Sequence, residues 1–182
     1  DLDTIFKDQE IVFHLAAVHG GRGYITTHPA DVSSNYSIDH HVFEGCNSSN
    51  VKNIVFCSTG SVYGEPRKFP TPENYSFPIQ TSFYGASKLA GESLIQAYCE
   101  AFKFKSWIFR FVSILGQRYT HGHVYDFVKQ LRKNSKKLKV LGDGNQRKSY
   151  LHVSDCVKAI IVAVSKANNK VNIFNLGTNE FI

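Results

Sequence analysis

The chain has 182 residues, of which 42% are hydrophobic and 20% charged, with a formal net charge of +6. That is the composition of a folded globular chain, which excludes a disordered one. No apolar run approaches the roughly 20 residues of a membrane span, and the polar opening DLDTIFKDQE is not a signal peptide. The four cysteines (Cys46, Cys57, Cys99 and Cys156) show neither CxxC pairing nor metal-ligand spacing. They read as reduced structural thiols in a cytoplasmic protein with no membrane partner.

Elements follow in chain order. The run IVFHLAA predicts a buried strand over 11–15, and helical spacing follows over 34–46. A second short apolar run over 54–57 leads into FCSTGSVYGE. Residues 65–80 hold four of the five prolines and must be a loop. The spacing then predicts a helix over 83–102, a strand over 106–111 and a helix over 123–132. A short strand over 139–141, a helix over 154–166 capped by Ser154, and a strand over 171–176 complete the chain. Uninterrupted strands alternating with helices predict a parallel sheet in an α/β fold. Past about residue 114 the alternation loosens, as for a chain leaving the main sheet for a smaller lobe. The sequence has no methionine and enters at once into a strand, so an internal fragment is expected.

Charge is unevenly spread. Residues 129–148 hold eight basic residues against one acid. No aromatic interleaving, zinc spacing or recognition-helix pattern accompanies the run LRKNSKKLK, so a solvated helix end is expected and no nucleic-acid partner. A patch facing the phosphates of a small ligand is the intermediate reading.

Within SFYGASKLAGESL, Tyr84 and Lys88 stand four residues apart on one helix face. A nearby ammonium lowers a phenol from about 10 towards the range of a general base. Gly85 and Ala86 leave room for a ligand. Taken alone, a Tyr-x-x-x-Lys pattern is more often structural than catalytic. Ser58 and Thr59, however, fall at the carboxyl end of a buried strand, where open α/β sheets bind ligands. The two alanines of HLAA allow close approach of a flat ligand, and tight packing explains them equally well.

Taken in order, IVFHLAA, the asparagine of SSNYSI, FCSTGSVYGE, SFYGASKLAGE, FRFVSILG, LGDGNQRKSYLHVSDC and NIFNLG resemble the extended short-chain dehydrogenase/reductases, and among them the NAD-dependent epimerase/dehydratase family that contains UDP-glucose 4-epimerase. The resemblance implies a Rossmann-type fold lacking its first βαβ portion. Residues 1–114 would form the partial NAD-binding domain and 115–182 part of a substrate lobe interleaved with the last sheet strands. It implies a catalytic set of Thr59, Tyr84 and Lys88. Ala16, Ala17, Asn35, Ser58, Tyr84, Lys88 and Phe111 would line the cofactor NAD. Ser61, Ser113, Arg147 and Lys148 would face the substrate, a nucleotide sugar and most simply a UDP-sugar. A homodimer is also implied.

The branch of the family is argued from residue 61. Dehydratases and decarboxylating relatives carry an acid there, and GDP-mannose 3,5-epimerases a cysteine. This chain has Ser61, which suits a 4-epimerase or a simple keto-sugar reductase. The loop HGGRGYITTHPA instead resembles the 3,5-epimerases, and a non-catalytic NAD- or RNA-binding relative is the alternative from another class. The sequence departs from the family in three places. The glycine-rich dinucleotide fingerprint is absent, Ser113 replaces an asparagine, and Lys148, beside Arg147, replaces an arginine. Among the histidines, His14 reads as a core or hydrogen-bonded residue and His152 as packing before a helix. His121 and His123 lack a third ligand, so no metal is expected.

Overall fold

A computed structural model describes residues 2–76 and 79–182. Phe77 and Pro78, inside the expected loop 65–80, lie outside the described residues. Strands β1 (Ile11–His14), β2 (Asn53–Thr59) and β3 (Lys105–Phe111) lie side by side in parallel. Three short strands follow: β4 (Ser113–Leu115), β5 (Tyr150–His152) and β6 (Val171–Leu176). The main sheet has the order β1-β2-β3-β6, and β4 and β5 form a separate parallel pair. The sequence after residue 115 returns its last strand to the main sheet.

The helices are α1 (Leu2–Phe6), α2 (Arg22–Thr27), α3 (Pro29–Ser33), α4 (Asn35–Ser48), α5 (Phe83–Phe102), α6 (His123–Lys133) and α7 (Val153–Lys166). Strand alternation divides the core between the two sheet faces. Ile54, Phe56 and Ile108 pack with Phe6, Phe43, Cys46, Ile95, Tyr98 and Cys99 from α1, α4 and α5. Val55, Trp107 and Phe109 point the other way, against Ile160, Ala163 and Val164 of α7. The central strands are buried on both faces, which is why they read as unbroken apolar runs.

Helix α5 begins where Ser82 accepts a hydrogen bond from the Gly85 amide, at 3.3 Å. It is tied to the sheet by a buried ion pair. The Arg110 guanidinium, on β3, donates from Nε and Nη2 to both carboxylate oxygens of Glu92 on α5, with Nη2 at 2.6 Å. Ser58 donates to the same carboxylate from β2, and Arg110 Nη1 donates to the Tyr63 hydroxyl at 2.7 Å.

Three expectations are corrected. Residues 139–141 are not a strand, and Leu141 is 74% exposed. The Gln130 side chain takes the place of a partner strand there, accepting from the Lys139 amide at 2.9 Å and donating to its carbonyl at 3.3 Å. Helix α7 is capped by His152, not Ser154: the imidazole Nδ1 accepts from the Ser154 amide. Strand β1 ends at His14 and leaves Leu15 exposed.

Replacing Glu92 by Ala leaves the Arg110 guanidinium buried without its carboxylate. The expected loss is about 3–5 kcal/mol, measured by urea denaturation of the full-length protein. A loss below about 1 kcal/mol, the scale of an exposed pair, would mean the tie is dispensable.

Candidate active site

The site is built at the carboxyl edge of β1, β2 and β3. His14 is in register with Phe56, and Thr59 with Phe111. The sheet thus delivers Leu15–Ala17, Thr59 and Phe111 to one edge, the edge at which open α/β sheets take ligands. Ala16 and Ala17 are exposed, and Asn35 fixes the loop that carries them. The Asn35 amide accepts from the Val18 N–H at 2.6 Å and donates to its carbonyl at 2.9 Å. Asn35 is itself fully buried, so it shapes the shelf from beneath.

Thr59 ends β2 and caps a 3₁₀ turn over Gly60–Tyr63, accepting from the Ser61 amide at 3.2 Å. Its hydroxyl donates to Ser61 Oγ and favours ionisation of the Tyr84 phenol. Ser58, one residue earlier, faces the interior, where its hydroxyl is used by Glu92. The cofactor-lining role expected of Ser58 is therefore not what its side chain does. Gly85 serves close packing. A Cβ there would lie 2.6 Å from Gln80 Oε1 and 2.9 Å from the Ser61 carbonyl, so the space is taken by protein and not kept for a ligand.

Tyr84, Lys88 and Glu92 recur every four residues along one face of α5. Tyr84 is half-buried and Lys88 is 2% exposed, its ammonium lying 4.2 Å from the Phe56 ring centre. Beneath Lys88 lies a residue the sequence reading did not single out. Asp39, from α4, sits with Oδ1 2.7 Å from His14 Nε2 and 3.7 Å from Lys88 Nζ. Its signal was an acid inside the buried stripe Asn35, Asp39, Val42, Phe43, Cys46. His14 is thus hydrogen-bonded and buried, as expected.

The electrostatics reverse one expectation. Tyr84 is pushed up to about 12 by burial, with Asp39 and Cys57 adding to the rise and the Thr59 hydrogen bond opposing it. Burial holds Lys88 below the ordinary lysine value, against the pull of Asp39. Cys57, next to them on β2, is pushed up to about 11 by burial and stays a thiol at neutral pH. His19 stands beside Tyr84, ring centres 5.9 Å apart, with His121 behind it at 5.2 Å. Burial first, then His121 and Lys88, keep His19 below the usual imidazole value.

A second group of residues gathers on the β4–β5 side. Leu115, His123, Val124, Phe127, Tyr150 and Ile182 line a cavity of about 340 Å³. His123 Nε2 is hydrogen-bonded to the Tyr150 hydroxyl, and burial, then the Lys148 cation, hold its imidazole low. Ser113 is in register with Tyr150. Arg147 and Lys148 are exposed just ahead of β5. Among the described residues no helix is long and apolar enough to cross a membrane, and no group of three His, Cys, Asp or Glu residues could hold a metal ion.

A family model for the NAD dependent epimerase/dehydratase family matches residues 1–177. A relative from Bacillus subtilis (strain 168), named an uncharacterized UDP-glucose epimerase, YtcB, is 31% identical over 182 residues. That match covers 99% of this chain and 57% of the relative. The putative UDP-glucose 4-epimerase of Methanocaldococcus jannaschii is 33% identical over 174 residues, 92% of this chain and 56% of the relative. A crystal structure of UDP-galactose 4-epimerase superposes with a TM-score of 0.85 at 32% identity, covering 95% of this chain and 57% of that one. The UDP-glucuronic acid 4-epimerase of Bacillus cereus, solved with UDP-glucuronic acid and NAD, gives a TM-score of 0.86 at 27% identity. It covers all of this chain, and this chain covers 58% of it. The chain spans about half the length of the curated relatives it matches. The match runs nearly end to end, and the chain belongs to the NAD-dependent epimerase/dehydratase family.

Proposed function

We propose that the protein containing this chain epimerises a UDP-sugar at C4 through a transient 4-keto sugar. The observation that carries the reading is the pairing of Tyr84 with Thr59 above a buried Lys88, beside an exposed Ser61 that is neither acid nor thiol. The residues present fit the nicotinamide end of NAD. Leu15, Ala16 and Ala17 form an exposed shelf of small and apolar groups at the end of β1, beside Thr59. NAD, when bound there, supplies the hydride acceptor and donor.

This chain's residues handle protons and position. Tyr84 takes the proton of the sugar hydroxyl and gives it back after the keto sugar has turned over. Thr59 donates a hydrogen bond to the phenolate and relays the proton, and Lys88 supplies positive charge from below. Ser61 offers only a hydroxyl, so neither water elimination nor deprotonation beside the ketone is served from that position. With Tyr84 at about 12, the phenol holds its proton at neutral pH in the chain alone. Ionisation at working pH needs further positive charge at the site. The cavity between α6 and β5, with Lys148 beside His123, supports a nucleotide diphosphate site on the other lobe.

The first test incubates the full-length protein with UDP-glucose, without added cofactor, and follows the anomeric protons by NMR. Appearance of UDP-galactose is expected. With Tyr84→Phe the rate should fall by about 10²–10⁴-fold while the circular dichroism is unchanged. Normal turnover in that variant removes Tyr84 from the chemistry. Lys148→Ala should weaken UDP binding by roughly tenfold and flatten its salt dependence, read by calorimetry; unchanged binding would move the diphosphate elsewhere.

A further inference from the structure

We propose that Asp39 is a positioning residue for the Tyr84–Lys88 face of α5, holding the ammonium in its buried place and, by its own charge, delaying ionisation of the phenol. The inference rests on the reading of Tyr84 as the base. Asp39 is fully buried between α4 and α5. Its Oδ1 is shared between His14 Nε2 at 2.7 Å and Lys88 Nζ at 3.7 Å, while Oδ2 has no hydrogen-bond partner among the described residues. A carboxylate that only tied helices together would be expected to use both oxygens, because a buried acceptor left unpaired is costly. The space around Oδ2 is closed. A Cβ on Gly91 would lie 2.4 Å from it and 2.8 Å from Phe56 Cζ, so glycine at 91 is what admits the acid.

The charged and titratable neighbours set the sign of the effect. Asp39 faces His14 from β1 and Lys88 from α5. Tyr84 faces Thr59 and Cys57 from β2, Asp39 from α4, and Lys88 one turn along its own helix. His19 approaches it from the loop after β1, with His121 behind. Glu92 also favours the Lys88 ammonium from one turn along α5, but its oxygens are held by Arg110 and Ser58. The negative charge of Asp39 favours the Lys88 ammonium against burial, and the same charge opposes a phenolate at Tyr84. The pair presents Tyr84 with a matched ammonium instead of a free one. Ionisation of Tyr84 then waits for positive charge brought by the ligand, and a proton is not lost from the phenol before the site is filled.

The test is Asp39→Asn in the full-length protein, which keeps the shape and an acceptor for His14 and removes the charge. Tyr84 is followed by NMR of ring-labelled tyrosine, its signal identified by its loss in Tyr84→Phe. The phenolate fraction is read without cofactor or sugar, at a fixed alkaline pH where the circular dichroism is unchanged. Removing the negative charge should lower the titration midpoint of Tyr84 by about one unit, a tenfold gain in phenolate. Lys88, read by its rate of acetylation against pH, should lose its proton at lower pH than in the parent. In turnover, the acid limb of kcat/KM should move to lower pH.

His14→Gln serves as the control, since it breaks the same buried hydrogen bond but leaves the carboxylate. It should leave the Tyr84 midpoint in place. An unmoved or raised Tyr84 midpoint in Asp39→Asn overturns the proposal, and so does an equal shift in both variants, which would signify repacking. If Asp39→Asn does not fold, the smaller Asp39→Ser is read in the same way. Because the titration needs no sugar, a shifted Tyr84 in a protein that turns over no UDP-sugar would uphold Asp39 and overturn C4 epimerisation.

Discussion

The fork between Arg110 and Glu92 sets where helix α5 can lie on the sheet. Two nitrogens of a planar guanidinium meet two oxygens of a carboxylate, in an interface from which water is excluded. A charge pair of this kind tolerates little sliding, because a shift of one residue would leave both ions buried and unpaired. Ser58 and Tyr63 attach to the same pair from β2 and from the turn after it. Glu92 is therefore a fixed point. Lys88 lies one turn before it and Tyr84 two turns before it on the same face, so fixing Glu92 also fixes them over the carboxyl ends of the strands. The apolar core supplies the bulk of the stabilisation, but it could accept several helix positions. The ion pair selects one.

The sequence made the central sheet legible because β2 and β3 are covered on both faces, which forces nearly unbroken runs such as IVFC and WIF, broken in β3 only by the paired Arg110. It also made the long helices legible, since α4 and α5 keep one buried stripe over several turns. What it hid was short. The strands β4 and β5 have three residues each, too few to establish a period of two. Helices α1, α2 and α3 have five or six residues and no full repeat of 3.6. The false strand over 139–141 came from apolar side chains that end up exposed, where a glutamine amide satisfies the backbone. Hydropathy alone cannot distinguish a residue paired by a strand from one paired by a side chain.

The site shows the same division. Spacing was enough to put Tyr84 and Lys88 on one helix face, and the position of Thr59 after an apolar run was enough to put it at a strand end. The sign of the Tyr84 shift was not accessible in this way. Reading only the local pair, Lys88 lowers the phenol. In three dimensions burial raises it, and the Asp39 carboxylate, distant in the chain, raises it further. Asp39 was visible as an acid in an apolar stripe, which is a cue for a buried charge. Its partner could not be named until α4, α5 and β1 were brought together.

The charges of the chain lie under two different electrostatic conditions. Around Tyr84 the charges are nearly matched, with the Lys88 ammonium facing the Asp39 carboxylate in a dry interior where each group strongly affects the other. Elsewhere, α6 ends in Arg132 and Lys133, and the basic run continues through exposed lysines to Arg147 and Lys148. Charges in water are screened over about 10 Å, so on the proposed reading that run would act on a phosphate-bearing ligand at short range. On the proposed reading this separation would have a mechanistic use. Binding energy collected at a diphosphate would hold the substrate while the sugar turns, and proton transfer would be governed locally by Thr59, Lys88 and Asp39. A site in which the phosphate-binding cations also acted on Tyr84 would favour the phenolate before any nucleotide bound, and the diphosphate would cancel that effect on binding.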